Sequence, residues 1–195
     1  MRPKAFDRLG ACGFLTAVLA LLAGCGNTFA PLFGDERYLA PFVASPEMVA
    51  EEMLRMAAVS PDDVVYDLGS GDGRIVILAA RKWGAKGVGF DLDADLVRRA
   101  TENARRAGVG HLVEFREQDV LTVDLSPATV VTIYLSRSAN LKLRPAIRSQ
   151  LRPGARVVSH EFDMGDWRPD AVREILDETG IPRTLLLWRI GQSKP

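Results

Sequence analysis

The sequence predicts an α/β fold built on a mostly parallel, doubly wound sheet. From residue 64 onward, short apolar or β-branched runs alternate with segments of helical period, the pattern of successive βα units. Several of these runs close on, or lead straight into, an acid: Asp67, Asp91 and Asp119. The first is followed by glycines at alternate positions, Gly69, Gly71 and Gly73, in a turn that opens a helix. Ligands of open α/β sheets bind outside the carboxyl ends of the strands, so these features are expected along one rim.

Ser45 is placed to cap a first helix, with Pro46 at its first position and Glu47 adding early negative charge. Val49, Met53, Met56 and Ala57 share one face of it. Val64, Val65, Tyr66 and Leu68 read as a buried strand, and Ile75, Val76, Leu78 and Ala79 form the apolar stripe of the next helix. Residues 85–91 make a second strand. Asp93 caps a helix whose Leu96, Val97, Ala100, Ala104 and Ala107 face the sheet, and Gly108 ends it in a left-handed conformation. Residues 112–116 alternate as a third strand, while 129–135 are almost wholly apolar, as expected of a strand covered on both faces. A helix at 141–151 turns Leu143, Ile147 and Leu151 inward, and Pro153-Gly154 leads into a fifth strand at 155–159. Periodicity then predicts a helix at 171–179 and a last strand at 184–190. That tail is short for seven strands, so one of the last two strands is expected to be brief or displaced.

Alternate glycines let a backbone turn sharply and approach a ligand without Cβ atoms in the way, and a helix start presents unpaired N–H groups beside them. A dinucleotide fingerprint needs a third glycine where this chain has Arg74. A pyrophosphate would also be repelled by Asp67 and Asp72, whereas an ammonium group would find an acceptor in Asp67. A glycine-rich turn also serves merely to join a strand to a helix, and an isolated Asp119 also reads as a solvated loop acid. The acids falling in sequence order outweigh both. Asp91, about 20 residues past the glycines, is placed to accept ribose hydroxyls. The pattern Asp67-x-Gly69-x-Gly71-x-Gly73 resembles motif I of the class I methyltransferases that use S-adenosyl-L-methionine. This resemblance implies a Rossmann-like sheet with an antiparallel C-terminal strand and S-adenosyl-L-methionine as methyl donor. It implies a cofactor site of Asp67, Gly69, Ser70, Gly71, Gly73 and Asp91, with Asp119 over the adenine edge.

A narrower resemblance rests on Pro41-Phe42-Val43-Ala44-Ser45-Pro46, on the loop from Tyr66 to Val76, and on Leu151-Arg152-Pro153-Gly154-Ala155-Arg156-Val157-Val158-Ser159. Together with Tyr134-Leu135 and Asp166-Trp167-Arg168-Pro169, these are similar to the protein-lysine methyltransferases of the adenine nucleotide translocase and ATP synthase c-subunit type. Phe42 stands where a tyrosine is common in that family, so a contact through its hydroxyl is expected to be absent; Ser45 keeps the hydroxyl of the usual threonine. The resemblance implies a protein substrate with a target lysine, membrane-associated in character. A lysine amine must be neutral to attack a methyl group, and moving its pKa from about 10.4 to 7 corresponds to roughly 4–5 kcal/mol. Desolvation beside a cation supplies much of this, leaving a need for acceptors that orient the nitrogen rather than for a strong base. Tyr134 is the first candidate for this catalytic role and Glu161 the second. Tyr134 also reads as a core aromatic, and Glu161 as the partner of an arginine such as Arg156. His160 reads as a satisfied strand-end histidine before it reads as a base. Asp67, Asp91, Asp119, Tyr134, His160 and Glu161 are expected to ring one cleft. Two histidines and no Cys-His cluster predict no metal site.

With 195 residues, 47% of them hydrophobic, the chain has material for one enzyme-sized domain. Its 25 basic and 25 acidic residues cancel, so no global field recommends nucleic acid as a partner. Arg137, Lys142, Arg144, Arg148, Arg152 and Arg156 gather mostly on one predicted helix and read as a solvated face. Residues 1–26 differ in kind. Arg2, Lys4 and Arg8 precede an apolar run at 11–23, shorter than the roughly 18 residues of a membrane span. This is the profile of a secretory signal, and Leu22-Ala23-Gly24-Cys25 looks like a bacterial lipobox that would make Cys25 the lipidated mature N-terminus. Loss of Cys12 with the signal would leave no disulfide. The alternatives are an uncleaved anchor and a misassigned start. Residues 27–40 then form a tether and 41–195 the domain. A membrane-associated location is expected, either as a lipoprotein or at the cytoplasmic face of the inner membrane; export conflicts with a cofactor made in the cytosol. Methylation of a small molecule and a noncatalytic exported protein retaining the fold are the rival readings, and a dinucleotide oxidoreductase is disfavoured by Arg74.

Overall fold

The computed structural model describes residues 39–40 and 42–191; the leader at 1–26 and most of the expected tether lie outside them. The elements run α1 (Glu47–Met56), β1 (Val64–Leu68), α2 (Arg74–Trp83), β2 (Lys86–Asp91), α3 (Ala94–Arg106), β3 (Val113–Glu117), a 3₁₀ turn (Val120–Thr122), β4 (Val130–Ile133), α4 (Arg137–Gln150), β5 (Arg156–His160), β6 (Ala171–Leu176) and β7 (Pro182–Arg189). Seven strands form one sheet in the order β3-β2-β1-β4-β5-β7-β6. The first five are parallel, and β7 runs antiparallel to both neighbours. This is the Rossmann-like architecture expected. The chain winds outward from β1 to β3 and returns to β4 beside β1, so the switch point where such sheets bind ligands lies at the carboxyl ends of β1 and β4.

Strand alternation sorts the core into two layers. Val65, Val130, Val158 and Leu187 pack with Val49, Met53 and Leu54 of α1 and Ile75, Leu78 and Ala79 of α2. Tyr66, Val131, Val157 and Trp188 pack with Leu143 and Ile147 of α4 on the opposite face. The β4 residues Val130, Val131, Thr132 and Ile133 are all buried, as a doubly covered strand should be.

The expected helix at 171–179 is instead strand β6, which completes the sheet. Six and eight residues long, β6 and β7 are neither brief nor displaced. Ala171 and Ile175, both packed on the core, are four apart, a spacing that satisfies a helical face and a strand face alike. Pairing with β7 decides between them by giving the segment's backbone its partners. Asp177, which would lie within the helix, builds the hairpin turn. Its Oδ1 accepts from the Thr179 amide at 2.9 Å, the Thr179 hydroxyl at 2.6 Å and the Ile181 amide at 3.0 Å. Its Oδ2 accepts from Arg183 Nε at 2.9 Å. The Thr179 hydroxyl is the main reason its carboxyl sits well below the usual range.

Other local expectations also gave way to tertiary contacts. Ser45 does not cap α1: Pro46 takes the cap position with no side-chain bond, and the Met48 amide is met by Glu178 Oε1 at 2.8 Å. Helix α4 starts four residues earlier than expected, at Arg137, because Ser136 Oγ caps it through the Ala139 amide at 3.1 Å. Its basic face is not simply solvated. Arg137 pairs with Asp163 at 3.0 Å, Arg144 binds the Met164 carbonyl and Asp166, and Arg148 lies 5.5 Å over Trp167. Arg156 pairs with nearly buried Asp63 at 2.8 Å rather than with Glu161. Among the described residues no helix is long and apolar enough to cross a membrane.

Candidate active site

A cleft of about 260 Å³ opens at the switch point, lined by Asp67, Gly69, Ser70, Asp91, Asp119 and Tyr134. Leu39 and Ala40, expected in the tether, line it too, together with residues 42–45. The Leu39 carbonyl accepts from the Ser136 hydroxyl at 3.0 Å.

Asp67 projects from β1 and is only 2% exposed. Its Oδ1 accepts from the Thr132 hydroxyl of neighbouring β4 at 2.7 Å. Burial pushes the carboxyl up to about 7; the Thr132 bond works against this, and the negative charges of Asp91 and Asp72 add to it. Such a carboxyl is poised to receive a cation, which would restore its ionised form.

The loop that follows is pinned to β2. The amides of Gly69 and Ser70 both donate to the Phe90 carbonyl at 2.9 Å. Asp91 takes the Gly71 amide at 2.7 Å on one oxygen and the Asp93 amide at 3.1 Å on the other. Asp91 therefore shapes the loop as well as facing the cleft. Gly71 has φ +54°, and a Cβ there would overlap the Phe42 ring. At Gly73, φ is +81° and a Cβ would lie 2.6 Å from Phe115. At both positions the missing side chain makes room for a protein ring, not for a ligand directly. Ser70 Oγ is buried without a hydrogen-bond partner. Orphaned buried hydroxyls are rare, and this one lines the cleft, where a ligand's polar atom would satisfy it. Asp119 caps the 3₁₀ turn by accepting the Leu121 amide at 2.9 Å.

Tyr134, just past β4, packs against the His160 ring with centroids 3.9 Å apart, and its ring lies nearly parallel to that of Phe162 at 6.3 Å. The expected ring of residues is thus incomplete: His160 and Glu161 stand behind Tyr134 and do not line the cleft. The reason is topological, since β5 lies one strand farther from the switch point than β4. His160 is fully buried, and burial, helped by Arg183, lowers its pKa to about 4, so it is neutral. Its Nδ1 lies 3.0 Å from Ser45 Oγ. Glu161 adopts φ +66°, its Oε1 3.4 Å from the Thr184 amide and 3.5 Å from His160 Nε2.

Sequence reasoning missed three contributors. Arg74, read only as a residue unsuited to a dinucleotide loop, grips Asp72 through Nε at 2.9 Å and Nη2 at 2.7 Å, and donates from Nη1 to the Ser45 carbonyl at 2.8 Å. Burial works to raise the Asp72 carboxyl, but Arg74 outweighs it and holds the group below the usual range. Phe42 roofs the loop. Thr132 had a visible signal, a lone hydroxyl inside an apolar strand.

Carboxylates at three successive strand ends, an orphan hydroxyl and a tight glycine turn suit a cationic nucleoside ligand and oppose an anionic one. Comparisons with known proteins agree. Residues 67–171 match the family described as the ANTKMT methyltransferase domain. A protein-lysine N-methyltransferase of Saccharolobus islandicus is 41% identical over 155 residues, 79% of this chain and 96% of that protein. The adenine nucleotide translocase lysine N-methyltransferase of Mus musculus is 36% identical over 156 residues, 80% of this chain and 66% of that protein. Among solved structures, an RNA methyltransferase from Salinibacter ruber in complex with S-adenosyl-L-homocysteine has a TM-score of 0.72 and 54% identity, covering 78% of this chain and 97% of that one.

Proposed function

The chain belongs to the ANTKMT methyltransferase family, and from that premise we propose that it methylates the ε-amine of a lysine in a protein. It is an S-adenosyl-L-methionine-dependent methyltransferase. The observation that carries the lysine reading is the match to a protein-lysine N-methyltransferase over nearly that protein's whole length, joined to a cleft that sets Tyr134 beside the strand bearing Asp67.

Bound S-adenosyl-L-methionine supplies an electrophilic methyl group on a cationic sulfur. Asp67 would hold the ammonium of its methionine part, and Ser70 would give its free hydroxyl a partner. Asp91 has acceptor capacity left for ribose hydroxyls beyond the two amides it binds, and Asp119 would stand on the adenine side. Phe42, Leu39 and Leu135 give the cleft apolar walls, which exclude water and favour the neutral amine. The Tyr134 hydroxyl orients that amine by accepting from it. Glu161 stands out of the cleft, beside His160.

The name of the Salinibacter ruber protein favours a second reading, RNA as acceptor. Three of the arginines that would serve it, Arg137, Arg144 and Arg148, are engaged with residues 163–167. Purified full-length chain with methyl-tritiated cofactor should label lysines of membrane-fraction proteins and not total RNA, and a parallel reaction with unlabelled cofactor should give +14, +28 or +42 Da peptides. Label confined to RNA would overturn the lysine reading.

The N-terminal segment is proposed to tether the methyltransferase domain, residues 41–195, to a membrane. The charged residues Arg2, Lys4 and Arg8 and the Leu22-Ala23-Gly24-Cys25 run support this. Cys25→Ala should release the protein into the soluble fraction; a wild-type chain already soluble with an intact N-terminus would end the proposal.

A further inference from the structure

The Ser45 hydroxyl is buried, the residue being 4% exposed, and serves no helix cap. Each of its two polar ends is held by a different half of the cleft. Its carbonyl accepts from Arg74, whose remaining contacts grip Asp72 in the glycine loop. A cation in the first turn of α2 is opposed by the helix dipole, and Asp72 together with the Ser45 carbonyl offsets that opposition. Its hydroxyl meets His160. Glu161 Oε1 stands 3.5 Å from His160 Nε2, which has no hydrogen-bond partner, so the polar anchor of the ring is the Ser45 hydroxyl at Nδ1.

Glu161 is held in a left-handed conformation that non-glycine residues seldom adopt. Its amide donates to the Thr184 carbonyl at 2.8 Å, which fixes it to β7. The His160 ring is therefore anchored at Nδ1 by Ser45, with the Glu161 carboxylate near Nε2 but not bonded to it. Against that ring lies Tyr134, at 3.9 Å.

We propose that Ser45 is a positioning residue that couples the cofactor loop to the acceptor side of the cleft, its carbonyl read by Arg74 and its hydroxyl setting the His160 ring on which Tyr134 rests. Displacement of the loop by a ligand is passed through Arg74 to Ser45 and from there to Tyr134. The inference deepens the lysine reading only in taking Tyr134 as the acceptor-side group.

The chain has three tyrosines, so ¹³C-tyrosine spectra of the full chain identify Tyr134 by comparison with Tyr134→Phe. S-adenosyl-L-homocysteine should shift the Tyr134 ring signals in the wild type. In Ser45→Ala that response should fall to less than about half, affinity for S-adenosyl-L-homocysteine should stay within about threefold, and turnover on poly-L-lysine should drop roughly 10- to 100-fold. Ser45→Thr should restore all three. Arg74→Gln, measured at saturating S-adenosyl-L-homocysteine, breaks the same link from the other end and should also silence Tyr134. An unchanged Tyr134 response in both variants overturns the coupling. Loss of affinity in step with turnover in Ser45→Ala also overturns it, because Ser45 would then serve the cofactor half alone. If the wild type labels neither poly-L-lysine nor membrane-fraction proteins, the lysine reading fails while the Tyr134 response still decides the coupling.

Discussion

Replacing Asp67 by asparagine should make the ligand-free protein more stable while destroying its affinity for cofactor. The Asp67 carboxyl titrates at about 7 in the folded chain and near 3.9 in an unfolded one. Between those values the folded state keeps a proton that the unfolded state has released, so stability falls as pH rises, by about 1.4 kcal/mol per pH unit, and the loss is complete above about 7. The penalty is about 1.5 kcal/mol at pH 5 and about 4 kcal/mol at pH 8. Asparagine has no such titration and can still accept from Thr132. The stability difference between Asp67→Asn and wild type should therefore be about 3 kcal/mol larger at pH 8 than at pH 5. Comparing the two pH values cancels any fixed difference in packing. Urea denaturation of both proteins without ligand measures it. Calorimetric titration with S-adenosyl-L-homocysteine forms the second arm: wild-type affinity should fall about tenfold per pH unit below 7, because only the ionised carboxylate attracts the ammonium, and the variant should bind weakly at every pH. A stability difference that ignores pH would refute the reasoning, since Asp67 would then not be the desolvated group its burial implies.

Gly71→Ala places a Cβ at φ +54° and into the Phe42 ring. It should cost about 1–2 kcal/mol of stability and weaken S-adenosyl-L-homocysteine at least tenfold, with part of the affinity regained when Phe42→Ala is added; no recovery in the double variant would show that the ring is not the obstacle. Arg156→Ala strands the carboxylate of Asp63, which also accepts from Thr129 and Ser60, and should cost about 3 kcal/mol near pH 7 in urea unfolding. Burial works to raise the Asp63 carboxyl, but Arg156, Thr129 and Ser60 hold it below its usual value. The stability it contributes is present above about pH 4 and lost in acid, so the Arg156→Ala deficit should shrink there; a constant deficit would mean that packing, not charge, is lost. Asp177→Ala removes the acceptor that organises the β6–β7 turn. Hydrogen exchange should speed up in β6 and β7 while β1 to β5 keep their protection; an unchanged pattern would leave the turn to backbone geometry alone.

The cofactor half of the site could be read from the chain because its determinants are local. Strand end, glycine turn and helix start follow one another between Val64 and Arg74, and each has a signature in residue type. Asp91 and Asp119 repeat the strand-end position, and all three acids do line one cleft. The β6 segment could not be settled the same way, because its core-facing residues, Ala171 and Ile175, fall four apart, a spacing common to both periods. Only β7, folded back across the Asp177 turn, chose the strand.

Sequence by itself determined the α/β class, the parallel half of the sheet and the carboxylates along its rim, because apolar period and turn chemistry act within a few residues. Tertiary structure alone decided what Ser45, Arg74 and His160 do. A local capping rule assigned the Ser45 hydroxyl to its own helix, yet it meets a ring 115 positions away, and Arg74 reaches back 29 positions to the same residue. Tyr134 enters the cleft while His160 and Glu161 stand behind it. That division follows from which strand lies next to which, and the pattern along one strand carries no information about its neighbour.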